Sequence, residues 1–253
     1  MEYLHLLSVL ILLLILNEVF RRNRWATIVM FFILPIFLTP IWINADIEPL
    51  FRWVKLFSVI FAVIWFTIFR YTTLGKKNYF KIIAAAILII NILEAVIQDF
   101  SNLNLAGSLN AIAGIFSIIA LASWKNIKTD DNQYKDLVWN NMTMLWIIAY
   151  TVWNFVFVYQ NLSTSAAGSI MVLLAAFIPA LFKKEIWMQA RAFTLAIWMM
   201  YMFTFRDFML SQVIYLPESD LAFLIGALIS LTLNTLAVIE KYKLKKGKSS
   251  LNV

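Results

Sequence analysis

Residues 80–98 read FKIIAAAILIINILEAVIQ, a run with only two charges, Lys81 and Glu94. A helix that crosses a bilayer needs about 20 mostly apolar residues, so this run reads as a membrane span. Segments of the same character lie on both sides of it: 3–20, 25–44, 51–70, 107–123, 138–159, 166–182, 187–205 and 219–239. The longest connection, 124–137, is too short to hold a soluble domain. The expected fold class is therefore all-α: a polytopic integral membrane helical bundle of about nine transmembrane helices. The count falls to eight if one short span is re-entrant. Residues 1–240 form a single transmembrane bundle in this reading, and 241–253 a basic tail.

Composition agrees. Of 253 residues, 62% are hydrophobic and 14% charged, and the mean hydropathy is +0.81. Soluble domains carry about 45–50% apolar and about 25% charged residues. There is no Cys, which excludes disulfides and thiolate chemistry. His5 is the only histidine, so multi-histidine metal sites and buried Ser–His pairs have no candidate. The six glycines match no phosphate-binding loop. No cofactor and no metal are expected. The formal charge of +7 is read as basic cytoplasmic loops rather than nucleic-acid binding.

Charge alternates from loop to loop. One set carries Arg21, Arg22 and Arg24, then Arg70, Lys76, Lys77 and Lys81, then Lys125, Lys128 and Lys135, then Lys183 and Lys184, then Lys241 to Lys248. The other set carries Asp46 and Glu48, then Asp99, then Arg206, Asp207, Glu218 and Asp220. Basic loops stay in the cytoplasm, so the N-terminus is expected outside and the C-terminus in the cytoplasm. The first span lacks a basic leader and a small-x-small site, so it reads as an uncleaved anchor.

Other residues fit a bundle. Trp25, Trp42, Trp53, Trp124, Trp139 and Trp187 fall near span ends, where an aromatic belt would lie. Pro35, Pro40 and Pro179 would kink their helices. Ala222, Gly226, Ser230 and Asn234 recur every fourth residue, a small-residue face for close helix packing.

Ionisable groups at membrane depth are costly and usually face the bundle interior. At 1.5 Å of rise per residue, Lys55 and Glu94 each lie about 6–9 Å below the outer surface, on antiparallel neighbours. They are expected to pair. Asn91, Glu94 and Gln98, spaced i, i+3, i+7, share one helix face. Asn154 falls at a similar level, with Tyr150 one turn deeper. Trp146, Tyr150, Trp153 and Phe157 form an aromatic stripe, read as core packing. These residues outline an outward-facing site with Lys55, Asn91, Glu94, Gln98, Tyr150 and Asn154 as binding residues. A second polar level, with Glu18, Gln189 and Arg191, is read as cytoplasmic. There Glu18 pairs with Arg22 and Arg191 snorkels to headgroups.

Several segments carry a resemblance. They are NEVFRRNRW at 17–25, LTPIW at 38–42, NILEAVIQDF at 91–100, WNFVFVY at 153–159 and RAFTLAIWMM at 191–200. Together the chain resembles an uncharacterised, domain-of-unknown-function family of bacterial multi-pass inner-membrane proteins. The resemblance implies a bacterial inner-membrane location and no activity.

The function expected from the residues is a membrane transporter or channel for a small polar or charged solute or ion. Its partners would be the lipid bilayer and that solute or ion, with a homo-oligomer left open and no nucleic acid. Two alternatives remain: an intramembrane enzyme modifying a lipid or isoprenoid, and a non-catalytic membrane scaffold or partner subunit.

Overall fold

A computed structural model describes residues 2–45, 47 and 50–250, with side chains as far as residue 246. Asp46 and Glu48, two of the expected loop charges, lie outside the described residues, as do residues 251–253 and the side chain of Lys248.

The described chain is nearly all helix. The long helices are α1 (Glu2–Arg22), α2 (Arg24–Asn44), α3 (Leu50–Tyr71), α4 (Asn78–Ser101), α5 (Leu105–Ala120), α6 (Met144–Asn161), α7 (Ser163–Phe182) and α8 (Trp187–Thr204). A short α9 (Arg206–Ser211) precedes α10 (Asp220–Ser250). Each expected span thus corresponds to a helix. Among the described residues, six of them (α1, α2, α3, α4, α7 and α10) are long and apolar enough to cross a membrane. Helix α10 continues without a break into the basic stretch after residue 240.

Local sequence explains the starts. Asn23, Asn104 and Thr143 accept backbone N–H bonds in the first turns of α2, α5 and α6. Helix α2 opens into a π-turn at Val29–Ile33, immediately before Pro35. Proline has no N–H to give and its ring crowds the carbonyl one turn back, so the extra residue of a π-turn relieves that clash.

The link between α5 and α6 departs from the expected span at 138–159. Ile127–Thr129 (β1) pairs antiparallel with Leu137–Trp139 (β2), and α6 begins only at Met144. A short apolar run fits a strand or a helix equally well. Here Asn141 turns left-handed at φ 66°, which a continuing helix cannot accommodate. This hairpin marks one end of the bundle, the hairpin end; helices alternate in direction between it and the distal end.

Helix α8 lies at the centre, against α1, α2, α3 and α7. It is buried almost all round. It falls short of the hydropathy of a lipid-exposed span because protein rather than lipid surrounds it. Close approach to its neighbours is specific: a Cβ added to Gly168 of α7 would stand 2.6 Å from the Trp198 ring. The small-residue face of α10 packs within the chain, against α5 and α6. Ser230 and Asn234 are buried, and Gly226 faces Val156.

The tryptophans correct the expected belt. Trp42, Trp139 and Trp187 are fully buried, and only Trp25 is largely exposed. The deeper ones find acceptors on neighbouring helices: Trp146 Nε1 donates to the Ser117 carbonyl at 2.8 Å and Trp153 Nε1 to that of Asn110 at 3.0 Å. A span end in this fold is often covered by the hairpin or a neighbour, so a terminal Trp does not reach the headgroup zone.

Candidate functional site

The Lys55–Glu94 pair forms as the matched depths require: Lys55 Nζ donates to Glu94 Oε2 at 3.0 Å. Both side chains are largely buried, at 15% and 22% exposure. Lys55 lines a cavity of about 90 Å³ between α3, α4, α6, α7 and α8. Asn91, Asn154, Ser165 and Ser169 supply its polar wall, and Phe157, Leu195, Trp198 and Met199 its apolar wall.

The same cavity is lined by Arg191 of α8. The reading of Arg191 as a snorkelling cytoplasmic residue is therefore corrected. Arg191 is 7% exposed, and its Nη2 donates to Asn154 Oδ1 at 3.1 Å. Its Nε and Nη1 have no acceptor among the described residues. The misreading has a cause. Helix α8 was expected to start at the bilayer edge, whereas Trp187, Met188 and Gln189 in its first turn are already buried under the hairpin. The sequence does hold a signal: Arg191 shares a helix face with Leu195, Trp198, Met199 and Met202, so an arginine interrupts an apolar stripe.

A deeper cavity of about 40 Å³ shares Asn91, Arg191 and Leu195 with the first, and Tyr150 lines it. Toward the distal end, a third of about 30 Å³ shares Arg52, Ser165 and Met202 and adds Arg206. Three cavities thus lie in series, with Arg52 and Arg191 at the two junctions. Arg206 also donates to the Ala45 carbonyl. Arg52 was not singled out from the sequence, and Arg206 was read only as a loop charge.

Of the six expected binding residues, Lys55, Asn91 and Asn154 meet in the central cavity. Glu94 joins through Lys55, and Tyr150 lies one chamber deeper. Gln98 does not join them: it is exposed and lines none of the three cavities. It sits one turn beyond Glu94, at the level where antiparallel α3 is only beginning, so no neighbour among the described residues covers it.

The buried group at that level is Asp99, expected as a loop charge and found at 0% exposure. Asn110 and Asn161 donate to its two carboxylate oxygens at 2.7 Å each. This ties α4, α5 and α6 together and gives each carboxylate oxygen a donor.

A second charge cluster sits at the hairpin end. Asp136 is fully buried and takes Arg21 Nε and Nη2 at 2.9–3.1 Å, with Asn132 Nδ2 at 2.7 Å. Gln189 of α8 accepts the Leu137 N–H at 2.7 Å. Arg70 is capped by the carbonyls of Phe20, Arg21, Tyr134 and Lys135. Burial pushes the Asp136 carboxyl up, but the Arg21 and Asn132 hydrogen bonds and the Arg21 charge prevail and hold it below the usual carboxylate range. The Lys183 hydrogen bond likewise holds Asp130 low. The expected Glu18–Arg22 pair also forms here.

The whole chain matches one family model, over residues 1–251. The chain belongs to DUF5692, a family of unknown function. No curated protein and no solved structure matches this DUF5692 chain.

Proposed function

We propose that this DUF5692 chain is a nine-span membrane transporter or channel for a small polar or charged solute or ion. In this reading its N-terminus lies outside and its basic hairpin end faces the cytoplasm of a bacterial inner membrane. One observation carries the proposal: three cavities in series, joined at Arg52 and Arg191, run from the distal end to mid-bundle. Ionisable groups in a membrane core are retained mostly where solutes or protons pass. At the hairpin end the buried Asp136 network ties the hairpin to α1 and α8, beside a separate cavity of about 820 Å³ between the hairpin and the ends of α5, α6 and α10.

Glu94 is then the proton- or charge-coupling group, and Lys55 its counter-ion in the resting state. Opening the inner side would mean parting the Arg21–Asp136 contact. The test is solute flux in proteoliposomes with Lys55→Met and Glu94→Gln. Each variant is expected to lower flux at least tenfold. Flux unchanged in both would remove the Lys55–Glu94 level from the transport path.

A further inference from the structure

The cavities share a sign of charge. Arg206 and Arg52 line the distal one, Arg52, Lys55 and Arg191 the central one, and Arg191 the deepest. No Asp or Glu lines any of the three among the described residues. Glu94 touches this path only through Lys55, which it neutralises.

The deeply buried charge left over at the centre belongs to Arg191. A guanidinium does not give up its proton in a protein. A buried one with unfilled donors carries a desolvation cost that only an anion or further acceptors can offset. Arg191 is more than nine-tenths buried, has one protein acceptor, and leaves Nε and Nη1 unfilled where two cavities meet. Asn154 is neutral, so no group among the described residues cancels the charge there.

Shape and wall chemistry narrow the ligand. A cavity of about 90 Å³ holds on the order of three waters at about 30 Å³ each, so its ligand is small. One wall is apolar, formed by Phe157, Leu195, Trp198 and Met199. A hydrated inorganic ion would gain nothing from that wall. Arg52, the other cation on this cavity, is only half-buried at its distal junction, where solvent screens it, so the deeply buried charge to be met is single and suits a monoanion better than a dianion.

We infer that the ligand is a small organic monocarboxylate, with its carboxylate on Arg191 beside Lys55 and its hydrocarbon part against Leu195, Trp198 and Met199. Calling it the transported solute rests on the function proposed above; its binding does not. Arg52, shared by the distal and central cavities, forms the approach, drawing the anion toward Arg191 as cation rings do in anion pores.

The test uses the full chain in detergent and follows thermal unfolding against sodium butyrate, butylammonium chloride and sodium phosphate at matched ionic strength. A ligand of the folded state raises the midpoint with concentration. Butyrate is expected to raise it and the other two are not. Arg191→Gln should weaken butyrate binding at least tenfold. A second variant guards against misfolding: Asn154→Asp places a carboxylate where Asn154 Oδ1 now stands, 3.1 Å from Arg191 Nη2. It should raise the midpoint without ligand and abolish the butyrate shift. Stabilisation by butylammonium or phosphate equal to that by butyrate would overturn the inference. So would a butyrate shift that survives in Asn154→Asp. Butyrate binding without flux would overturn only the transport reading, whereas flux of a cation without butyrate binding would overturn only this one.

Discussion

Two charge clusters lie in this bundle, and they differ in how far their donors are filled. At the hairpin end, Asp136 meets Arg21 and Asn132, and Arg70 is surrounded by four carbonyls. In the central cavity, Arg191 has one neutral acceptor and two unfilled nitrogens. The same residue types serve opposite ends. A filled network fixes helices α1, α3 and α8 and the hairpin to one another. An unfilled cation beside a cavity is a binding group waiting for its counter-ion. Burial does not separate the two clusters; saturation does.

The comparison predicts opposite signs on mutation. Asp136→Asn removes the charge that Arg21 needs, and breaking a buried pair costs about 3–5 kcal/mol. A loss of that size in detergent unfolding is the largest effect expected. Its pH dependence has a defined sign. The folded Asp136 carboxyl lies below its ordinary value of 3.8, so its stabilisation is complete above that value and is lost as pH falls through the lower folded value. The gap between wild type and Asp136→Asn should therefore stay constant from about pH 8 to pH 5 and close only below about pH 4.

Arg191→Met should behave the other way. Replacing an uncompensated buried cation with an apolar side chain should leave stability unchanged or raise it by about 1 kcal/mol. A loss matching that of Asp136→Asn would erase the distinction between the clusters. The smallest effect is expected at Glu18, whose partners Arg21 and Arg22 both stand at the surface or near it. Glu18→Gln should cost less than about 0.5 kcal/mol. A larger loss would extend the filled network beyond Asp136.

How much of this was legible in the sequence depended on whether depth could be counted from a known edge. Lys55 and Glu94 were found because each is a charge set well inside an apolar run, at matched distance from its span end. The packing of Ser230 and Asn234 was legible from four-residue spacing. Arg191 was misplaced because α8 begins beneath the hairpin rather than at the bilayer edge. Trp139 and Trp187 were misread for the same reason, whereas Trp42, at the distal end, is covered by Phe203 and Thr204 of α8. The apolar triplet Leu137–Trp139 has no periodicity long enough to tell strand from helix, so the hairpin was hidden. Asp99 looked like a loop charge because its partners, Asn110 and Asn161, come from two later helices.

The measurement closest to the central claim is uptake of labelled butyrate into proteoliposomes by wild type and by Arg191→Met. The account predicts saturable uptake by wild type and loss of at least nine-tenths of it in the variant, with the variant folded by its unfolding midpoint. Equal uptake by the two proteins would contradict it.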